Sequence, residues 1–69
     1  MTIGESIRKA RLEKGYSQTK LSIKSGISVS VISYWETGRV FPTLINLIPV
    51  ADALGVTLDE LVGRKVAVK

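Results

Sequence analysis

The side chains available for chemistry in this sequence are mainly cations and hydroxyls. Ten Lys and Arg residues stand against six Asp and Glu residues, and the chain contains neither Cys nor His. It therefore has no thiolate nucleophile, no usual proton shuttle for neutral pH and no common zinc ligand. From these residues we expect a protein that is not an enzyme, with no catalytic residues, no metal site and no cofactor.

The excess of basic residues gives a net charge of +4 and a pI near 9.8, which is typical of proteins that bind nucleic acids. A charge of this size is also ordinary for the surface of a small domain, so the charge alone leaves both interpretations open. Apolar stretches are only about five residues long, far short of the ~20 needed to span a bilayer. Because the N-terminus also has no signal peptide, we expect no membrane partner and a cytoplasmic location.

The capping signals and the apolar spacing predict an all-α protein. Capping hydroxyls precede apolar residues at helical spacing, and glycines follow several of these segments. The signals predict five helices, at about residues 3–13, 18–25, 29–37, 44–54 and 58–62. We expect one helical domain over residues 1–63, followed by a short, basic and flexible C-terminal tail over residues 64–69.

The fourth predicted helix contains a proline. Pro49 cannot donate the intrahelical hydrogen bond to Ile45. The helix therefore either begins after Thr43 with a distorted first half, which we favour, or begins late with Asn46 as its N-cap. An apolar stripe at helical spacing follows its length, formed by Leu44, Leu47, Ile48, Ala51 and Leu54.

The second and third helices are joined by a very short connection. Helix two ends at Gly26, and Ser28 caps helix three two residues later. The two helices must therefore cross steeply, which is the helix-turn-helix geometry. The residues expected to pack between them are apolar or small: Leu21, Ser22, Ile27, Ile32 and Trp35.

From Ile3 to Leu61 the sequence resembles the phage-repressor and Cro-like helix-turn-helix family, also called the XRE family. The segments that carry the resemblance are IGESIRKARLEKGYSQTKLS, GISVSVISYWETGR and LGVTLDEL. The resemblance implies a compact five-helix bundle like the lambda-repressor DNA-binding domain. It also implies that helix three lies in the major groove of double-stranded DNA and reads base edges with its outward residues.

Under this resemblance, the base-reading residues are those of helix three that remain once Ile32 and Trp35 are assigned to the core: Ser28, Val29, Ser30, Ser33 and Tyr34. This set departs from the common family pattern, because it contains no charged or amide side chain and so forms no bidentate pair with guanine or adenine. Val29 offers contact to thymine methyl groups, and the serines discriminate weakly. We expect a half-site that contains A·T pairs and is read largely through DNA shape.

The resemblance implies a separate set of phosphate contacts. Ser17 and Gln18 stand at the start of helix two, where backbone N–H groups and the helix dipole favour an anion. Gln18 matches the family's phosphate-anchoring glutamine, and Thr37 lies at the far end of the reading face. Arg39 matches a position that grips the DNA backbone, although a solvated loop cation is the alternative.

Two further expectations come from the family. Arg11 and Glu36 match a pair that links helix one to the end of the reading helix; the alternative is two independent surface charges. A single weakly discriminating helix supplies little specificity, so we expect a homodimer on a pseudo-palindromic operator with half-sites ~34 Å apart. The family uses the helix-five end as its dimer interface, which here offers Leu58, Val62 and Val66.

The sequence thus favours a transcriptional regulator, a repressor that binds specific double-stranded DNA and needs no small-molecule effector. Two alternatives stay open. The first is an antitoxin or a restriction–modification controller of the same fold. The second is a protein-interaction module whose contact patch includes the outward Ile23, Val29 and Tyr34.

Overall fold

Five capped segments of the sequence form five α-helices. The computed structural model describes residues 2–62, and within that range it contains no β-strand. The helices are α1 (Ile3–Glu13), α2 (Gln18–Ser25), α3 (Val29–Thr37), α4 (Leu44–Leu54) and α5 (Leu58–Val62). The all-α, five-helix fold predicted from the sequence is confirmed. The expected tail over residues 64–69 lies outside the described residues.

Side-chain hydroxyls cap the N-termini of the helices, as predicted. Thr2 and Glu5 form a capping box, in which the Glu5 N–H donates to Thr2 Oγ1 over 3.1 Å and the Thr2 N–H donates to Glu5 Oε1 over 2.8 Å. Thr57 and Glu60 make the same exchange at α5. The backbone N–H of the capping threonine lowers the pKa of each carboxyl. Both caps are therefore strongest while the carboxyls are ionised, and they weaken as the pH falls through these lowered pKa values.

The crossing of α2 and α3 depends on a left-handed residue. Gly26 has φ +76°, a conformation that costs glycine little and other residues more. Its N–H donates to the Ser22 carbonyl, and Ser28 Oγ then accepts from the Val31 N–H over 3.2 Å to begin α3. The chain thus leaves one helix and enters the next within three residues.

Helix α4 begins at Leu44 despite Pro49. The Thr43 hydroxyl accepts a hydrogen bond from the Asn46 N–H over 3.3 Å, and the helix continues to Leu54 with Pro49 inside it. Thr43 is therefore the N-cap, and the alternative of a late start at Asn46 does not occur.

All five helices contribute to the hydrophobic core. Trp35 is its largest member and is only 2% exposed. The buried apolar residues are Ile7, Leu21, Ile32, Trp35, Leu47, Val50, Ala51, Leu54 and Leu61.

The apolar stripe of α4 is only partly buried. Leu44 is 63% exposed and Ile48 is 47% exposed, whereas Val50 is fully buried. Each residue turns an α-helix by about 100°, so these two side chains lie to one side of the Leu47 direction. The principal packing partners of α4 are α2 and α5, and they cover the face that carries Leu47 and Val50.

Helices α1 and α3 approach each other very closely at Gly4. A Cβ atom built on Gly4 would lie 1.9 Å from the carbonyl oxygen of Trp35 and 3.2 Å from the Cα of Glu36. These are backbone atoms, so no side-chain rotation can make room for even one methyl group. Glycine at this position is what lets α3 lie against α1.

The structure also joins α1 to α3 through Arg11 and Glu36. Arg11 Nε donates to Glu36 Oε2 over 2.7 Å, and Arg11 Nη2 donates to Glu36 Oε1 over 3.0 Å. The two side chains are only 10% and 3% exposed. Arg11 Nη1 also donates to the Tyr16 carbonyl over 2.8 Å, and the hydrogen bond with Glu36 raises the pKa of Arg11. This is a bidentate, largely desolvated ion pair rather than two surface charges.

We expect the Gly4→Ala variant to be less stable than the wild type, although alanine favours a helix over glycine by up to about 1 kcal/mol. Relief of the contact with the Trp35 carbonyl requires α1 and α3 to separate, which costs about 1–3 kcal/mol beyond that gain. Urea denaturation measures the difference. Arg8→Ala, an exposed change on the same helix, is the control and should alter stability by no more than about 0.5 kcal/mol. A Gly4→Ala variant as stable as the wild type would contradict the close approach.

We expect Glu36→Ala to lower the free energy of unfolding by about 3–5 kcal/mol, because it leaves Arg11 buried without its partner. The double variant Arg11→Met, Glu36→Leu should recover much of this loss, since it leaves no unpaired charge. Thermal and urea melts followed by circular dichroism give both values. An unchanged melting temperature for Glu36→Ala would rule out a stabilising role for the pair.

Candidate nucleic-acid interface

The exposed face of α3 is defined by what the helix buries. Ile32 and Trp35 lie three residues apart and enter the core, so the opposite side of the helix points to solvent. Most of the predicted base-reading residues lie on that side and are exposed: Ser28, Val29, Ser30 and Tyr34. The fifth, Ser33, is half-buried. We call these five residues the reading face.

The reading face offers hydroxyl groups, one branched aliphatic side chain and one phenol ring. Ser28 uses an oxygen lone pair to cap α3, since its Oγ accepts from the Val31 N–H. A capping serine keeps its O–H proton for donation, so Ser28 presents a donor at the tip of the helix. Val29 and Tyr34 are 38% and 42% exposed, which leaves part of each side chain available for contact.

The reading face carries no net charge. The only charged residue of α3 is Glu36, and its carboxylate is neutralised by Arg11. The first cation after α3 is Arg39, whose guanidinium lies 5.9 Å from the centre of the Tyr34 ring. This distance is within the range of a cation–π contact. The ring therefore holds a positive charge at the C-terminal end of an otherwise neutral surface.

Gln18 is hydrogen-bonded to the same ion pair, a contact that no sequence pattern predicted. Its Nε2 donates to Glu36 Oε1 over 3.0 Å. The amide nitrogen has a second N–H, which a phosphate oxygen can accept. Glu36 thus holds the Gln18 side chain in place at the start of α2, beside the first-turn N–H groups of that helix.

Ser17 and Thr37, the other two predicted phosphate contacts, differ in whether their hydroxyl proton is available to a phosphate. Ser17 Oγ accepts from the Lys20 N–H over 3.0 Å, so its O–H proton remains for an outside acceptor. The Thr37 hydroxyl already donates to the Ser33 carbonyl over 2.9 Å. Thr37 would have to give up that bond before it could donate to a phosphate, whereas Ser17 would not.

The predicted dimer residues that the structure describes are less exposed than most residues of the reading face. Leu58 and Val62 are half-buried and pack against the core. Val66 lies outside the described residues.

Among residues 2–62, no three His, Cys, Asp or Glu side chains are grouped as metal ligands would be. In the same range, no helix has the length and apolar character that a bilayer crossing requires.

Known proteins are similar to this chain in sequence and in fold. The sequence model of the helix-turn-helix family matches residues 7–61. A helix-turn-helix-type transcriptional regulator of Sinorhizobium fredii, itself uncharacterised, is 42% identical over 60 residues, which cover 87% of this chain and 78% of that protein. The transcriptional repressor RstR of the cryptic phage CTXphi in Vibrio cholerae is 36% identical over 64 residues, which cover 93% of this chain and 57% of the repressor.

A solved structure agrees with these relatives. The P22 c2 repressor, in its crystal structure with the synthetic operator 9T, has the same fold with a TM-score of 0.85 and 31% identity, over 94% of this chain and 98% of that one. The chain spans little more than half the length of RstR, but the family match covers most of the chain itself. The chain therefore belongs to the phage-repressor and Cro-like helix-turn-helix family.

Proposed function

We propose that this protein is a transcriptional repressor that binds specific double-stranded DNA, acting as a homodimer on a pseudo-palindromic operator. The observation that carries the proposal is the α2–α3 unit. It exposes a neutral reading face, with an anchored glutamine at the start of α2 and a cation at the end of α3. The same fold holds an operator in the P22 c2 repressor complex.

In this proposal α3 lies in the major groove and the reading face contacts base edges. Val29 packs against thymine methyl groups, and the serine hydroxyls bond to base edges with little discrimination. The phosphate backbone is held by Ser17, Gln18, Thr37 and Arg39. Thr37 contributes least, because its proton is engaged within α3.

Repression requires only that the bound dimer occlude the polymerase, so the proposal includes no enzyme activity, cofactor or small-molecule effector. Residues 1–63 form the DNA-binding unit in this scheme. The place of action is the compartment that holds the operator, the cytoplasm. RstR and the P22 c2 protein are repressors by name, which supports this direction of regulation over activation.

In vitro selection of bound DNA from a random pool, run at two salt concentrations, tests the proposal. We expect palindromic sites with A·T-containing half-sites about one helical turn apart. Affinity should fall steeply as salt rises, with a log–log slope near −0.9 for each phosphate contacted. Recovery of G-rich half-sites would contradict the expectation that the neutral reading face selects half-sites that contain A·T pairs. The absence of any salt-sensitive DNA binding would favour the protein-interaction alternative.

Arg39→Ala tests the phosphate grip separately from base reading. We expect weaker binding to all sequences alike, a salt slope shallower by about one, and an unchanged sequence preference. Fluorescence anisotropy titrations over a salt series provide these values. Lys9→Ala, an exposed change on α1, removes the same charge and is the control. Equal losses in the two variants would mean that Arg39 acts only through the net charge.

A further inference from the structure

An apolar surface at the start of α4 takes no part in the proposed DNA contacts. It consists of Phe41, Leu44, Ile45 and Ile48, which are 75%, 63%, 78% and 47% exposed. Leu44, Ile45 and Ile48 lie on the first turns of α4, and Phe41 lies just before them in the chain. We call these four residues the α4 patch.

The α4 patch is large for a domain of this size. At these exposures, four large apolar side chains present on the order of 400–500 Å² of surface, which is the size of the largest apolar patch on a typical monomer and is often functional. Two such patches buried against each other remove on the order of 1,000 Å² from water, the area of a weak but specific protein interface. The area therefore fits a dimer that dissociates readily in solution.

The charge pattern of the α4 patch fits a second copy of this chain. Each copy carries a net charge of +4, so self-association is favoured where no like charges meet. Residues 40–51 contain no Asp, Glu, Lys or Arg. A highly basic or acidic partner would find no complementary charge in that segment, whereas an identical segment meets it without repulsion.

The position of the α4 patch also fits the proposed function. The patch begins two residues after Arg39, the cation at the C-terminal end of the reading helix. Joined through this surface by a two-fold axis, two copies would present two reading helices, as a pseudo-palindromic operator requires. Of the predicted dimer residues that the structure describes, Leu58 and Val62 offer less surface, because they already pack against the core.

We propose that the α4 patch is the surface through which two copies of this chain associate. The inference rests on the proposed function for the arrangement on DNA, but the association itself can be measured without DNA. Leu58 and Val62 of α5 then contribute at most the rim of the interface.

Sedimentation equilibrium of the 69-residue chain tests this inference, with wild type compared with the double variant Phe41→Ser, Ile45→Ser. Both substituted side chains are exposed, so the fold should persist, as circular dichroism melts would verify. We expect the dimer dissociation constant to rise at least tenfold. The control is Leu12→Ser, Ile23→Ser, which replaces two exposed apolar residues outside the patch and should leave self-association unchanged.

Binding to DNA provides the second measurement, with duplexes that carry one or two copies of a half-site recovered by selection. The Phe41→Ser, Ile45→Ser variant should bind the single half-site as wild type does, because no charge changes, but lose at least tenfold in affinity for the double site. A variant that dimerises as wild type does, or that retains the full preference for the double site, would overturn the inference. So would a wild type that is monomeric both free and on the double site. Failure of wild type to bind any duplex would sink the proposed function instead, and the sedimentation result would still stand.

Discussion

The carboxylate of Glu36 is the group on which the placement of the reading helix depends. It accepts hydrogen bonds from Arg11 on α1 and from Gln18 on α2, while it belongs to α3 itself. One buried side chain thus connects three helices. An apolar pair of similar volume could stabilise the fold as well or better, because two charges lose their hydration on burial. What the apolar pair could not supply is a fixed orientation for the Gln18 amide relative to α3. We therefore attribute to this network a positioning role as well as a stabilising one.

The small size of the domain explains why its helices touch so closely. A chain of 69 residues buries only about 60% of the surface of its unfolded form, and it has no disulfide to add stability. The close approach of Gly4 to the Trp35 carbonyl brings the backbones of α1 and α3 together, so that few side chains suffice to fill the space between them. The same thin core cannot cover every apolar residue, and the α4 patch is left outside it.

Local signals were enough to predict the helices, but not all of their contacts. Capping hydroxyls and C-terminal glycines act within a few residues of the chain, so they can be recognised in the sequence itself. The stripe on α4 shows the limit. Helical spacing indicates that Leu44 and Ile48 share one side of the helix, but which part of a wide stripe is covered depends on where α2 and α5 lie. The bond between Gln18 and Glu36 was missed because it joins residues 18 positions apart whose partners are set by packing.

The neutral reading face and the exposed α4 patch are linked by the energetics of recognition. One good bidentate contact to a base discriminates by about 1–3 kcal/mol, and the side chains of the reading face cannot form any. A monomer that relies on serine hydroxyls, one valine and DNA shape would separate its site from other DNA by little. Two DNA-binding domains joined in a dimer would apply that small preference twice, and they would also require the correct spacing between half-sites. In the proposed dimer, the less a single reading helix can discriminate, the more the specificity would depend on the α4 patch that joins the two copies.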